Sequence, residues 1–472
     1  MTSNFEPRGC GDERESGTED MDRIGEAPGR KLLAPGPNGL QAFHFYFVMR
    51  RDRLSFVKRM ADGFGKVSCL RIGGRSLMVV ASASGANDIL VRNSTSFRKG
   101  PGVADAELLF GEGLLTSQGA KWAGQRSAIA GAFSKIDADR IVDCVQCQLD
   151  IPFDGWGTQT EQSRNVNITE WIASIAFGVM GTLIFGTAID ATTVRHNLAV
   201  VEYYAMRRAV AMFPKLTPHW PALSHAIAAL NSAAESVLDK HLLGHREVQK
   251  DRVDGPALAA VLESSMRYDR SEHLEQIRTF FLAGQDNVVA AVVWCLAALA
   301  ERPSLQEQVR EEIHVVCDGR PPRAFHFRQL KLTRSVLFET LRLNPPVWAI
   351  TRTAIKETMV DGFSVPAGTD VVIVPYLINR DDLRWSRANE FLPDRFVDKA
   401  TVKSARGIVR PFGYGPRSCV ASDFAMTEIS AIIAGLVQKY RFVCKTSQTI
   451  PLNPGFALKP QADVTMTVSV VS

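Results

Sequence analysis

The chain has 472 residues, 46% hydrophobic and 22% charged, with a formal net charge of +5, which are the proportions of a globular protein with a large core. So mild a charge over this length does not point to nucleic acid, which requires Lys and Arg concentrated on one face. Eight cysteines (Cys10, Cys69, Cys144, Cys147, Cys295, Cys317, Cys419 and Cys444) are too scattered for a disulfide framework and suit a reducing compartment.

Residues 1 to about 30 are polar, charged and Gly-rich, and are expected to be a disordered tail ahead of one domain over residues 31–472. They lack a signal-peptide core, and their acidic residues outnumber the basic ones, against a transit peptide. The stretch Leu33 to Gly39 is turn chemistry. From Val67 to Ala81, two β-rich pieces flank Gly73-Gly74 and predict a hairpin. From about Ala83 to Lys356 the pattern is mostly helical, as in Ile168–Phe185, Ser224–Leu243, Ser271–Ala300 and Ser304–Val316. Two strands are expected around Pro366-Ala-Gly368. A long helix follows from about Ser422 to Tyr440, and a terminal strand lies in the alternating segment after Ala462. The longest apolar run, Val288 to Ala300, is too short to cross a bilayer, so no membrane span and a cytoplasmic location are expected. The fold class is mainly α with small β-sheets, in a single large domain.

The informative stretch is Pro411-Phe-Gly-Tyr-Gly-Pro-Arg-Ser-Cys419, running into the apolar segment that begins at Ser422. Gly413 and Gly415 permit a tight bulged path with no side chain projecting toward a flat ligand. Arg417 is a cation placed to meet an anion. Cys419 stands just before a helix start, where unpaired N–H groups and the helix dipole favour a thiolate. A capping loop with a buried cysteine is the bland alternative. Phe, two spaced Gly, Arg and Cys in this order weigh against it.

This stretch resembles the haem-binding loop of the cytochrome P-450 family, Phe-x-x-Gly-x-Arg-x-Cys-x-Gly. Phe412, Gly415, Arg417 and Cys419 match, and Ala421 stands at the last glycine. The resemblance implies the cytochrome P-450 fold around haem b, with Cys419 as axial iron ligand. Four further motifs support it. Glu339-Thr-Leu-Arg342 resembles the family's Glu-x-x-Arg, and Arg395 in Phe391-Leu-Pro-Asp-Arg-Phe396 matches the third member of that ion-paired triad, whose role is structural. Trp122-Ala-Gly-Gln-Arg126 has the spacing of Trp-x-x-x-Arg; with Arg417 and Arg352 these residues would neutralise the haem propionates. Phe280-Phe-Leu-Ala-Gly-Gln-Asp-Asn287 resembles the centre of the oxygen-binding helix, Ala-Gly-x-Asp/Glu-Thr. There Ala283 and Gly284 make room, Asp286 is the acid, and Asn287 replaces the alcohol.

That replacement is the departure that matters most. An amide offers an N–H donor and a carbonyl acceptor where threonine offers a hydroxyl. The reading preferred here keeps Asn287 as an organiser of proton delivery. The competing ones are a peroxide-using or isomerising haem-thiolate enzyme and a non-catalytic haem sensor.

The resemblance implies a monooxygenase that inserts one atom of dioxygen into a hydrophobic small molecule, with protons arriving by way of Asp286 and Asn287. Electrons must come from a ferredoxin or flavodoxin with its reductase, for which Lys121, Arg406, Arg410 and Lys439 are candidate docking cations. Substrate contacts are expected within Val103–Phe110, Tyr203–Val210, Phe280–Ala283, Val347–Ile350 and Phe456–Leu458. Pro345 to Arg352 and Ser422 to Met426 look most like bacterial terpene-oxidising members, which makes a terpenoid the first expectation. Cys144-Val-Gln-Cys147, His241 with His245, His219 and His225 are read as structural.

Overall fold

A computed structural model describes residues 32–151, 163–213, 216–218, 220–247, 269–397, 409–444 and 450–471. The expected N-terminal tail lies outside them. Strands β1 (Val67–Ile72) and β2 (Arg75–Val80) pair antiparallel, with Ile72 opposite Arg75. Only Gly73 and Gly74 separate them, both at positive φ (57° and 75°), as a two-residue turn between twisted strands demands. The sheet grows by β8 (Asp370–Ile373), β5 (Ile350–Ala354) and β3 (Phe97–Lys99) in the order β1-β2-β8-β5-β3.

The two strands expected around Pro366-Ala-Gly368 are present, but they belong to different sheets. The first is β7 (Phe363–Val365), which pairs with β6 (Thr358–Val360) across Asp361-Gly362, both at positive φ. The second is β8, which runs parallel to β2. The terminal strand β12 (Thr465–Val470) pairs with both β4 (Ser163–Asn167) and β9 (Tyr440–Cys444), and β10 (Leu452–Pro454) pairs with β11 (Leu458–Pro460).

The principal helices are α1 (Gly39–Arg51), α2 (Arg53–Phe64), α3 (Val103–Phe110), α4 (Gly119–Phe133), α5 (Ala138–Leu149), α6 (Ile168–Met180), α7 (Ala191–Ala209), α8 (Pro221–Glu247), α9 (Arg270–Gly284), α10 (Asp286–Ala300), α11 (Pro303–Cys317), α12 (Lys331–Leu343) and α13 (Ser422–Lys439). Side-chain caps fix several starts: Asp52, Asn167, Asp190 and Asp269 each accept from the backbone N–H three residues on.

Helix α10 is apolar all round and buried from Val288 to Ala300, so it lies in the centre of the core rather than on its edge. Ile168–Phe185 and Arg270–Ala300 are long and apolar enough to cross a membrane, yet 72% and 78% of their apolar windows lies inside the body. They are core helices.

One buried ion-paired group ties α12 to the segment that follows the sheet. Arg342 meets Glu339 through two hydrogen bonds of 2.7 and 2.8 Å, and both side chains are fully buried. Arg395 reaches the same carboxylate at 3.3 Å. The remaining donors of Arg342 go to the carbonyls of Asn379, Ala388 and Glu390, and the N–H of Leu392 donates to Glu339. All five protons of Arg342 and both oxygens of Glu339 are thus engaged, the kind of pairing under which buried charges are tolerated. The three residues named from sequence do meet, in a place that shapes the chain toward the loop carrying Cys419.

Candidate active site

The loop from Pro411 to Ala421 folds back on itself. The N–H of Cys419 donates to the carbonyl of Phe412 at 2.8 Å, and Gly413 and Gly415 take positive φ (81° and 64°). At Gly415 a Cβ would lie 2.1 Å from the Leu90 carbonyl oxygen, so no larger residue fits without moving the backbone. Cys419 is thereby presented to a cavity of about 550 Å³, whose other walls come from α9, α10, the β5 region and the turn between β10 and β11. That volume is in the range of small-molecule sites.

Helix α13 starts three residues beyond Cys419, and the backbone N–H of Ala421 faces the thiol. The expected helix-start thiolate is not what the surroundings favour: desolvation pushes the Cys419 thiol up, and the Ala421 N–H and Arg126 pull against it without prevailing. A thiolate here requires a bound cation, and iron supplies one. Among the described residues no group of three or more His, Cys, Asp or Glu side chains is gathered for a bare metal ion. A lone soft ligand facing a wide cavity suits a metal that brings its remaining ligands in a macrocycle.

The second feature is a cluster of cations. Trp122, Arg126, Arg352 and Arg417, all named from sequence, line the cavity together with Lys99. Arg417 stacks on the Trp122 ring at 4.3 Å and Arg126 stands 5.8 Å from it. Arg126 also donates to the Ser418 carbonyl at 2.7 Å. No ion pair among the described residues involves Lys99, Arg126, Arg352 or Arg417. Burial and mutual repulsion show in their acidities. Burial pushes Arg352 down to about 10, with Arg417 adding to the effect. Lys99 is pushed down to about 6 by burial, then by Arg417 and Arg352. Converging cations without an anion fit a ligand that carries two carboxylates, as haem does. Lys99 belongs to no motif; register places it, because β3 pairs Lys99 opposite Arg352.

On the opposite wall the apolar run Arg270–Ala300 breaks between α9 and α10 at Gln285 (φ −107°, ψ −44°). Asn287 donates its Nδ2 to the carbonyl of Ala283 at 3.1 Å, occupying a backbone acceptor freed near the break. Gly284 lines the cavity, and a Cβ there would come only into ordinary contact, 3.4 Å, with the sulfur of Met180 in α6.

Asp286 and Asn287, named together from sequence as the route for protons, take different partners. Asp286 accepts from Lys459 Nζ at 2.7 Å, and the same ammonium reaches Glu202 at 3.3 Å. Two adjacent residues on a helix face different directions, and Lys459 in β11 takes the one that points its way. Glu202 and Lys459 are functional candidates outside every sequence motif.

Each of the five expected substrate segments contributes to the cavity, through Val103, Met206, Ala209, Val210, Phe280, Leu282, Val347, Trp348, Phe456 and Ala457 among others. Tyr203 and Leu108 are exposed, and Leu458 is buried without lining the cavity. The cavity also extends to Tyr46, Met49, Phe56 and Leu70 of the N-terminal elements, which the sequence segments omit.

Two of the four candidate docking cations are neutralised within the chain. Lys121 sits among Glu112, Glu272 and Glu275 at 2.8, 3.6 and 3.6 Å, and Lys439 pairs with Asp150 at 2.7 Å. Arg410 lies over the Tyr414 ring, and Arg406 is outside the described residues.

The set-aside motifs keep structural surroundings. Cys144 is buried and pushed up to about 11 by burial, while Cys147 is exposed. His241 Nδ1 bonds to the Phe185 carbonyl and His225 is exposed. His219 and the His245 side chain lie outside the described residues.

The family model for Cytochrome P450 matches residues 34–466. The chain belongs to the cytochrome P450 family. It is accordingly a monooxygenase-type oxidoreductase with the mainly α P450 fold. This P450 is 26% identical over 452 residues to cyclooctatin synthase of Streptomyces melanosporofaciens, covering 93% of this chain and 94% of that protein. It is 27% identical to cyclooctat-9-en-7-ol 5-monooxygenase of the same organism, over 88% of this chain and 90% of the relative. Pentalenene oxygenase of Streptomyces avermitilis is 25% identical over 84% of this chain and 88% of its own length.

Proposed function

We propose that this P450 inserts one oxygen atom from dioxygen into a terpenoid or similar hydrophobic metabolite, with electrons from a separate ferredoxin or flavodoxin and its reductase. The observation that carries the reading is one cavity with Cys419 on one side, unpaired cations around its rim and the broken helix at Ala283–Asn287 on another wall. Haem b is the cofactor that suits this donor set; bound there, it supplies activation of dioxygen, favoured by electron donation from a thiolate.

The chain's own residues do the rest. Cys419 holds the iron, and Phe412 and Gly415 shape the loop that presents it. Trp122, Arg126, Arg352, Arg417 and Lys99 hold the propionates. Ala283 and Gly284 leave space beside the helix break, and Asn287 keeps an amide carbonyl and one N–H for organising a water or an oxygen there. Asp286 supplies protons. Glu339, Arg342 and Arg395 keep the approach to the cysteine loop rigid.

The substrate class follows from apolar walls and from the relatives. Two are named for oxygenation of an alkene, pentalenene, and an alkenol, cyclooctat-9-en-7-ol. Burial of both long apolar helices supports a cytoplasmic enzyme.

The test has two parts. The dithionite-reduced protein with carbon monoxide should show the red-shifted Soret band of thiolate ligation, and C419S should lose it. Reduced ferredoxin with dioxygen should then yield a hydroxylated product from a terpene. Turnover with hydrogen peroxide alone, and none with ferredoxin, would overturn the dioxygen reading.

A further inference from the structure

We propose that Glu202 is the proton reservoir of this site, a positioning residue whose carboxyl holds a proton against Asp286 and passes it through Asp286 into the cavity beside Asn287. The inference rests on the monooxygenase reading above.

Three side chains from separate elements converge: Glu202 from the middle of α7, Asp286 from the first turn of α10, and Lys459 from β11. Lys459 Nζ is shared, at 2.7 Å from Asp286 Oδ2 and 3.3 Å from Glu202 Oε2. Two carboxylates against one ammonium would leave a net negative charge where the Glu202 side chain is only 8% accessible. An uncompensated buried charge of that kind is expensive, and holding a proton between the two carboxyls removes it.

Geometry decides which carboxyl keeps the proton. Asp286 has the shorter contact with Lys459, sits at a helix start where the dipole favours negative charge, and also feels Arg195. Its carboxyl is held below the usual range despite burial. Glu202 has the longer contact and is pushed up to about 8 by burial first and Asp286 second. The two carboxyls are hydrogen-bonded, so the Glu202 O–H donates to an Asp286 oxygen. Lys459, Asp286 and Arg195 are the charged groups acting on this pair.

The cluster has an inner and an outer side. Asp286 lines the cavity, next to Asn287. Lys459 does not line it and keeps 30% of its side chain accessible, which opens the cluster to solvent. Asn287 cannot itself be the acid, because its amide does not ionise, and one of its Nδ2 hydrogens is engaged by the Ala283 carbonyl. In one cycle the Glu202 O–H proton moves onto the Asp286 carboxylate, and Asp286 then releases it to the cavity. Glu202 is left as a carboxylate beside Lys459 and regains a proton from solvent. One proton crosses and no electrons move.

The sign follows: Glu202 is loaded below about 8 and empties as pH rises through that value. Oxygen consumption by the holoenzyme with reduced ferredoxin should therefore fall through about 8. E202Q should lower it at neutral pH on the order of 10²-fold, the scale of a positioned acid, and flatten the profile. E202D should restore the slope.

Infrared titration of the resting holoprotein needs no turnover. It should show two protonated carboxyls that disappear near 8 in wild type, those of Glu202 and Glu428; E428Q should keep only the Glu202 signal, E202Q should lose that signal and keep only the Glu428 one, and E202Q/E428Q should show neither. A carboxyl signal unchanged by E202Q, or a pH profile in E202Q matching wild type, overturns the proposal. Absence of ferredoxin-driven oxygen consumption at every pH overturns the monooxygenase reading instead, and the infrared result still decides the proton-holding role of Glu202.

Discussion

Replacing Lys99 with methionine should change how many protons move when haem binds. In the cation cluster Lys99 is pushed down to about 6, so in apoprotein near pH 8 it is neutral. Charging it at that pH costs two units, roughly 2.7 kcal/mol. A carboxylate in contact returns about 4 kcal/mol at an effective dielectric near 20, so a bound propionate drives Lys99 to its ammonium form. Cys419 moves the other way. Its thiol is raised by burial, so it is protonated before binding and loses that proton to ligate iron. Wild-type apoprotein should thus exchange close to zero net protons per haem near pH 8, and K99M should release about one.

The difference between the two proteins should close as pH falls through about 6, where Lys99 is already charged. Calorimetric titration of haem into apoprotein, in two buffers of different ionisation heat, reads the count. Linkage gives a second readout. Between 6 and the ordinary 10.5 the unfolded chain binds more protons at this residue than the folded apoprotein. Apoprotein stability therefore rises with pH across that window, and K99M removes this contribution. Equal proton release by the two proteins near pH 8 would refute the reasoning, because it would mean Lys99 does not change state.

Other perturbations have equally definite outcomes. E339A leaves Arg342 fully buried with no carboxylate and should destabilise by roughly 3–5 kcal/mol in denaturant unfolding; R395A, acting through the longer 3.3 Å contact, should cost less. G415A forces a Cβ against the Leu90 carbonyl at positive φ, so the purified protein should lose most of its haem, read as the ratio of Soret to protein absorbance. N287A removes the amide bond to the Ala283 carbonyl and should raise peroxide released per dioxygen consumed by roughly tenfold. N287T, whose hydroxyl can reach the i−4 carbonyl, should stay near wild type.

Legibility from sequence followed the range of the interactions. Gly73-Gly74 between β-rich pieces dictated its hairpin because two residues at positive φ leave one solution. The cysteine loop was readable for the same reason: its glycines, cation and thiol lie within nine residues, and local backbone chemistry fixes their relation. Glu339 and Arg342 share a helix face. What escaped was set by pairing between distant segments. The strands flanking Pro366-Ala-Gly368 could be seen as strands, but nothing local says that β8 pairs with β2 and β5 while β7 turns back on β6.

The same rule explains why Asp286 was found and its partners were not. An acid after Ala-Gly on an apolar helix is a local pattern, whereas Lys459 is 173 residues further on and Glu202 lies in a helix whose own pattern is unremarkable as a surface. Burial converts those two ordinary residues into a chemical device. A glutamate in water is ionised at neutral pH, and only the joint presence of an apolar shell, a closer rival for the ammonium and a helix start beneath that rival leaves it holding a proton. Each condition comes from a different element: α7 delivers Glu202, β11 delivers Lys459, and the break at Gln285 starts a new helix at Asp286. Closing that break would bury Asp286 in mid-helix and take away its dipole. The irregular turn in the central helix therefore does two things, opening room beside Asn287 and deciding which of two carboxyls is the acid.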